Sequence, residues 1–141
     1  MNKKRIVEIV GSIAVIAGLI FFFIGNRGIK ELTEAHNKMV QIEGDFVNAV
    51  NSINATSETE VQSQLMKATD NFQTSLKGVD VSACPEDYKE KFSFLLTVIG
   101  NMKSEIADED YEGFEISNEI RLKTTRELNE LAEKHGMQIL E

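Results

Sequence analysis

The densest run of ligand-type atoms in the chain is Asp108-Glu109-Asp110-Tyr111-Glu112-Gly113-Phe114-Glu115-Ile116-Ser117-Asn118-Glu119. A loop that wraps a calcium ion needs side-chain oxygens at positions one, three, five and twelve. It also needs glycine at six and a backbone carbonyl at seven. Asp108, Asp110, Glu112 and Glu119 supply the side chains, Gly113 the turn and Phe114 the carbonyl. Three departures stand beside that match. Position five carries Glu where the shorter Asp or Asn is usual, position eight is Glu115 rather than an apolar residue, and no second loop of this kind follows. The competing reading is an acidic connection between two helices, its carboxylates favoured by the positive start of the second.

Other candidate chemistry is sparse. His36 and Met39 lie one turn apart, and His135 and Met137 lie near the other end of the chain. Imidazole and thioether are ligands for copper and haem iron. The plainer assignment makes Met39 core, His135 a cation suited to a helix C-terminus, and Met137 a residue past the ordered end. Cys84, the one cysteine, excludes a disulfide within the chain and stands before Pro85 at a helix start, where the dipole would lower a thiol pKa. Its alternatives are pairing with another chain or simple packing. No Gly-rich phosphate loop, His-Glu-x-x-His, Gly-x-Ser-x-Gly or Cys-x-x-Cys occurs. The sequence therefore predicts no catalytic residues and no resident cofactor, calcium at the acidic run being the one candidate ion.

Something must position these groups, and charge and hydropathy divide the 141 residues in two. Residues 1–30 hold five cations against Glu8, a net +4, so the overall charge of -8 leaves -12 on the remainder. That acidity excludes bulk attraction to nucleic acid. From Ile9 to Ile24 the chain is uncharged and strongly apolar, and residues 6–25 reach the 20 or so that a membrane-spanning helix needs. A cleaved signal peptide calls for a shorter apolar core and a small-x-small cleavage site, which the residues after Ile24 do not provide. The sequence thus predicts a cytoplasmic tail at 1–5, a single transmembrane anchor at 6–25 in contact with the lipid bilayer, and a domain at 29–141. Lys3, Lys4 and Arg5 outweigh Arg27 and Lys30, so the positive-inside rule places the domain on the extracytoplasmic side.

Beyond the anchor the period is helical. Leu32, Ala35, Met39, Ile42, Phe46, Ala49 and Ile53 step by three and four. Ser57 and Glu60 form a capping box for a second helix whose seam is Val61, Leu65, Ala68, Phe72 and Leu76, closed by Gly78. Pro85 opens a third, with Tyr88, Phe92, Leu95, Ile99, Met102 and Ile106 inward. Residues 108–115 read as a loop or frayed start. A fourth helix covers about 116–135 with Ile116, Ile120, Leu128 and Leu131 inward, ended by Gly136. Four such stripes and short connections predict an all-α, antiparallel up-down-up-down four-helix bundle.

Two resemblances follow from these residues. The acidic run resembles an EF-hand loop, which implies calcium held by Asp108, Asp110, Glu112, Phe114 and Glu119. The four-helix layout, with Leu122-Lys123-Thr124-Thr125-Arg126 in the last helix, is similar to that of soluble b-type cytochromes. Their haem-ligating histidine position falls on Asn129 here, so the similarity implies architecture and no haem site. The functional expectation is a non-enzymatic, membrane-anchored interaction or scaffolding module that binds a protein partner or a second copy of itself. The alternative is an exported ligand- or cation-binding module with the acidic run as its site.

Overall fold

The computed structural model describes residues 20–22 and 27–140. The chain is all-α in its body, with four helices: α1 (Arg27–Asn51), α2 (Glu58–Lys77), α3 (Glu86–Ala107) and α4 (Tyr111–Lys134). Two strands of three residues, β1 (Ile20–Phe22) and β2 (Gln138–Leu140), pair antiparallel, Ile20 opposite Leu140. Cross-helix bonds set the order. Lys91 reaches Glu127 while Glu105 reaches Ser117, so α3 and α4 run antiparallel. Glu43 meets Arg121 and Thr125 from α4, and Phe46 of α1 stacks on Phe72 of α2 with ring centroids 4.4 Å apart. Sequential helices are neighbours, as their short connections require.

Local chemistry fixes the helix ends. The Ser57 side chain accepts a hydrogen bond from Glu60 N, and Glu60 in turn accepts from Thr56 N at 2.8 Å. The bonds from the Thr56 N–H and then its hydroxyl hold the Glu60 carboxyl below its ordinary range. At the end of α4, Gly136 (φ 100°) lets its own N–H reach the Glu133 carbonyl and the Met137 N–H reach Ala132, the paired bonds of a Schellman motif. The core is one continuous cluster in which Leu65, Leu76, Leu95, Ile99, Met102, Ile106, Phe114 and Leu128 are wholly buried. Each such side chain contributes roughly 1.5–3 kcal/mol over its exposed state.

Every seam residue expected on α2 and α3 is buried. Elsewhere the structure corrects the sequence reading. Ile20–Phe22, expected inside a membrane helix, form β1; aromatic and β-branched residues suit a strand, and a short apolar run does not discriminate between the two. The rest of the 6–25 segment lies outside the described residues. Among the described residues no helix is long and apolar enough to cross a membrane. The expected loop at 108–115 shrinks to Asp108–Asp110, because α4 begins at Tyr111. Ile116 (54%) and Ile120 (39%) are exposed rather than inward, as is Ala49. The inward positions of α4 are Phe114, Ser117, Asn118, Arg121, Thr124, Thr125, Leu128 and Ala132, which an apolar count passes over.

The corner between α3 and α4 is a second Schellman turn. Asp110 N donates to the Glu105 carbonyl and Glu109 N to that of Ile106. Glu109 sits at φ 58°, the left-handed conformation that glycine adopts freely and other residues only at a cost. Glu109→Gly is therefore expected to stabilise the chain by about 0.5–1 kcal/mol, the relieved Cβ clash exceeding the added unfolded-state entropy. Urea denaturation checks it; a lower midpoint would show that the Glu109 side chain makes a contact worth more than the strain.

Candidate functional site

The acidic run does not form a twelve-residue loop. Asp108 is the exposed C-cap of α3. Asp110 is the N-cap of α4, its carboxylate accepting from Gly113 N at 3.0 Å. Glu112, Phe114 and Glu119 lie within α4, where Phe114 is wholly buried while Glu112 and Glu119 face solvent. The five residues expected to share one ion are thus spread from the end of α3 to the third turn of α4. Gly113 has a local reason to be glycine: a Cβ there would lie 2.4 Å from Asp110 Oδ2. Among the described residues no three His, Cys, Asp or Glu side chains group as a metal site.

The other candidates also have structural partners. Met39 is core, and Met137, expected past the ordered end, is buried at the Schellman turn of α4. His135 caps α4 with its Nε2 2.8 Å from Asp87 Oδ1, and Lys134 Nζ donates to Asp87 Oδ2 at 2.9 Å. The bond from Lys134, then that from His135, pulls the Asp87 pKa down to about 2. Cys84 is buried, and burial raises its thiol pKa, opposite to the lowering expected from the helix dipole. Its reactivity as a thiolate falls accordingly.

The concentration of buried polar chemistry lies between α1 and α4. Arg121 is fully buried, with Nη1 bonded to Glu43 Oε2 and Nε donating to Asn118 Oδ1 at 2.9 Å. Thr125 Oγ1 donates to the other Glu43 oxygen at 2.8 Å. The guanidinium also lies 5.3 Å from the Phe46 ring centroid and 5.9 Å from that of Phe72, within cation–π range. Arg121 Nη2 has no hydrogen-bond partner among the described residues, nor has Asn37 Oδ1. Each such buried group costs about 1–3 kcal/mol unless water reaches it.

About two turns along α1, the wholly buried His36 shares a 2.9 Å hydrogen bond between Nδ1 and the Tyr88 hydroxyl, and Asn129 bonds its side chain from α4. Burial pushes the His36 pKa down to about 4, with the Asn129 bond opposing, and burial raises that of Tyr88. Neither group is poised as an acid–base pair near neutral pH. A shallow groove of about 160 Å³ lies on the opposite flank of α1, between Ile42, Phe46, Ala68 and Phe72.

Comparison with known proteins adds no relative: no family model, curated protein or solved structure matches the chain. The site rests on its geometry, which binds α1 to α4 through Glu43, Arg121 and Thr125. Arg121→Met retains apolar bulk under Phe46 but leaves the buried Glu43 without its cation, at an expected cost of about 3–5 kcal/mol. Adding Glu43→Leu should recover at least about 2 kcal/mol of that loss. Denaturation of the two single variants and the double variant measures the coupling, and additive losses would mean that the pair is not a unit.

Proposed function

We propose that this chain is a membrane-anchored, non-enzymatic helical bundle that serves as an interaction or scaffolding module on the extracytoplasmic side of a membrane. The observation that carries the interaction role is an apolar flank along α3 and α4. Phe94 (47% exposed), Ile116 and Ile120 turn outward, although α4 buries Ser117, Asn118 and Arg121 in their stead. Scattered exposed apolar residues are ordinary. Phe94 lies against Lys91 of the Lys91–Glu127 pair, and helical spacing puts Ile116, Ile120 and Glu127 on one side of α4. A protein partner or a second copy of the chain fits such a flank.

The anchor rests on the hydropathy of residues 6–25 and the orientation on Lys3, Lys4 and Arg5. In a helix over 6–25, Ile20–Phe22 could not also pair with Gln138–Leu140, so spanning and the β1/β2 pair exclude one another. Full-length protein that stays in the pellet after alkaline carbonate supports the anchor, and release into the wash removes it. A C-terminal reporter active only outside the cytoplasm should be active; a signal from a cytoplasm-only reporter would reverse the orientation.

The partner is tested by pull-down from detergent-solubilised native membranes. Full-length native protein should retain its partners in the presence of chelator. The Phe94→Ser/Ile116→Lys/Ile120→Lys variant should lose them, while its stability shifts by no more than about 0.5 kcal/mol per exposed site. Equal capture by native and variant chains would place the contact elsewhere.

A further inference from the structure

We propose that the β1/β2 pair is a latch: away from lipid it ties the N-terminal segment to the end of the chain, and insertion of that segment into a bilayer unfastens Gln138–Leu140. The inference rests on the anchor reading of residues 6–25 given above. β1 (Ile20–Phe22) belongs to that segment and β2 (Gln138–Leu140) to the far end of the sequence, yet the two are zipped with Phe21 opposite Ile139.

The fold delivers β2 to the place a latch requires. Gly136 turns the chain at the end of α4, and the Met137 N–H bonds back to the Ala132 carbonyl. Met137 is buried in the common core. A Cβ at Gly136 would lie 3.2 Å from Ile29 Cδ1, so this turn packs against the first turn of α1. β2 therefore leaves the bundle beside the point where the N-terminal segment enters it. Only residues 23–26 lie between β1 and α1, so the pair closes without a long loop.

The two strands are joined through backbone N–H and C=O groups. In a membrane helix the same groups of Ile20–Phe22 bond to residues four positions away along that helix. One backbone cannot do both, and water and lipid favour opposite choices. In water, the apolar stretch from Ile9 to Ile24 gains nothing by exposure, and pairing with β2 satisfies the backbone at its end. In a bilayer, each apolar residue of the stretch favours insertion, and together they outweigh a ladder of three residues. Lipid thus takes up the unlatched chain alone, and the latch weakens apparent membrane affinity by the unlatched fraction.

The test uses the full chain with Cys84→Ser, Phe21→Cys and Ile139→Cys, made by cell-free synthesis without lipid. Residues directly opposite in an antiparallel pair have Cα atoms about 4.5–5.5 Å apart, a span that a disulfide bridges. Oxidation in lipid-free solution should join the two cysteines within one chain, seen as a gel shift that reductant removes. Phosphatidylcholine vesicles are then added, and flotation after alkaline carbonate is read. The reduced chain should float with the vesicles, and the cross-linked chain should float at least about tenfold less until reductant restores it. The chain with Cys84→Ser and Phe21→Cys alone should float equally with and without oxidant. Failure of the two cysteines to join, equal flotation of the cross-linked and reduced chains, or an equal loss in the single-cysteine chain would overturn the latch and leave the anchor standing. Failure of the reduced chain to float would instead remove the anchor, and the latch with it.

Discussion

The contact that most constrains this bundle is the buried pair of Glu43 and Arg121. Neither charge tolerates the interior alone, since an unpaired buried ion costs far more than any single packing contact returns. α1 must therefore close on α4 with these two side chains opposite each other. Sliding α1 by one turn would carry Glu43 about 5.4 Å along the axis and strip the guanidinium of its partner. The apolar stripes do not discriminate so sharply, because a three-four pattern repeats and one turn of slip places leucine against leucine again. The aromatic stack of Phe46 on Phe72 depends on the same register, with the guanidinium lying over both rings.

How much of this was legible in the sequence differs from helix to helix, for a physical reason. On α2 and α3 the inward residues are large and apolar, so the period alone located Leu65, Phe72, Phe92 and Ile99. On α1 two neighbouring registers compete. Leu32, Met39, Phe46 and Ile53 belong to both, but one adds Ala35, Ile42 and Ala49 and the other adds His36, Glu43 and Val50. Hydropathy favours the first; the structure buries all three of the second and exposes Ala49. On α4 the true frame runs Phe114, Asn118, Arg121, Thr125, Leu128 and Ala132, spaced four and three throughout. It was readable from Phe114, Leu128 and Ala132, had the polar residues between them been allowed inside.

The acidic corner shows the converse, a string whose residue types suit two structures. A calcium loop wants aspartates at alternating positions and a glycine among them. A tight turn between two helices wants a left-handed residue, an aspartate to cap the next helix and a small residue where that carboxylate lands. Glu109, Asp110 and Gly113 meet the second set of demands. Asp110 spends one oxygen on the Gly113 N–H, and Glu119 lies nine residues on within α4, so the helix carries the two carboxylates apart along its axis instead of wrapping them round one point. Local backbone needs account for the acids without an ion, and the sequence pattern had no means of weighing one set of demands against the other.

The same polar pair that sets the register also concentrates polar contacts on one side of the bundle. The α2/α3 and α3/α4 interfaces are held by apolar area, which does not depend on protonation and varies little with salt. The α1/α4 seam is crossed by the Glu43–Arg121 and Glu43–Thr125 bonds and by the His36–Asn129 bond, each of which depends on its partner keeping its place. α1 is thus held to α2 by apolar area, Phe46 stacked on Phe72, and to α4 largely by polar contacts. That helix is also the one that follows the apolar N-terminal segment, while the outward apolar flank of Phe94, Ile116 and Ile120 belongs to α3 and α4. Because α1 also buries Leu32, Met39, Phe46 and Val50 in the common cluster, its polar contacts add register to a helix that burial already holds in place.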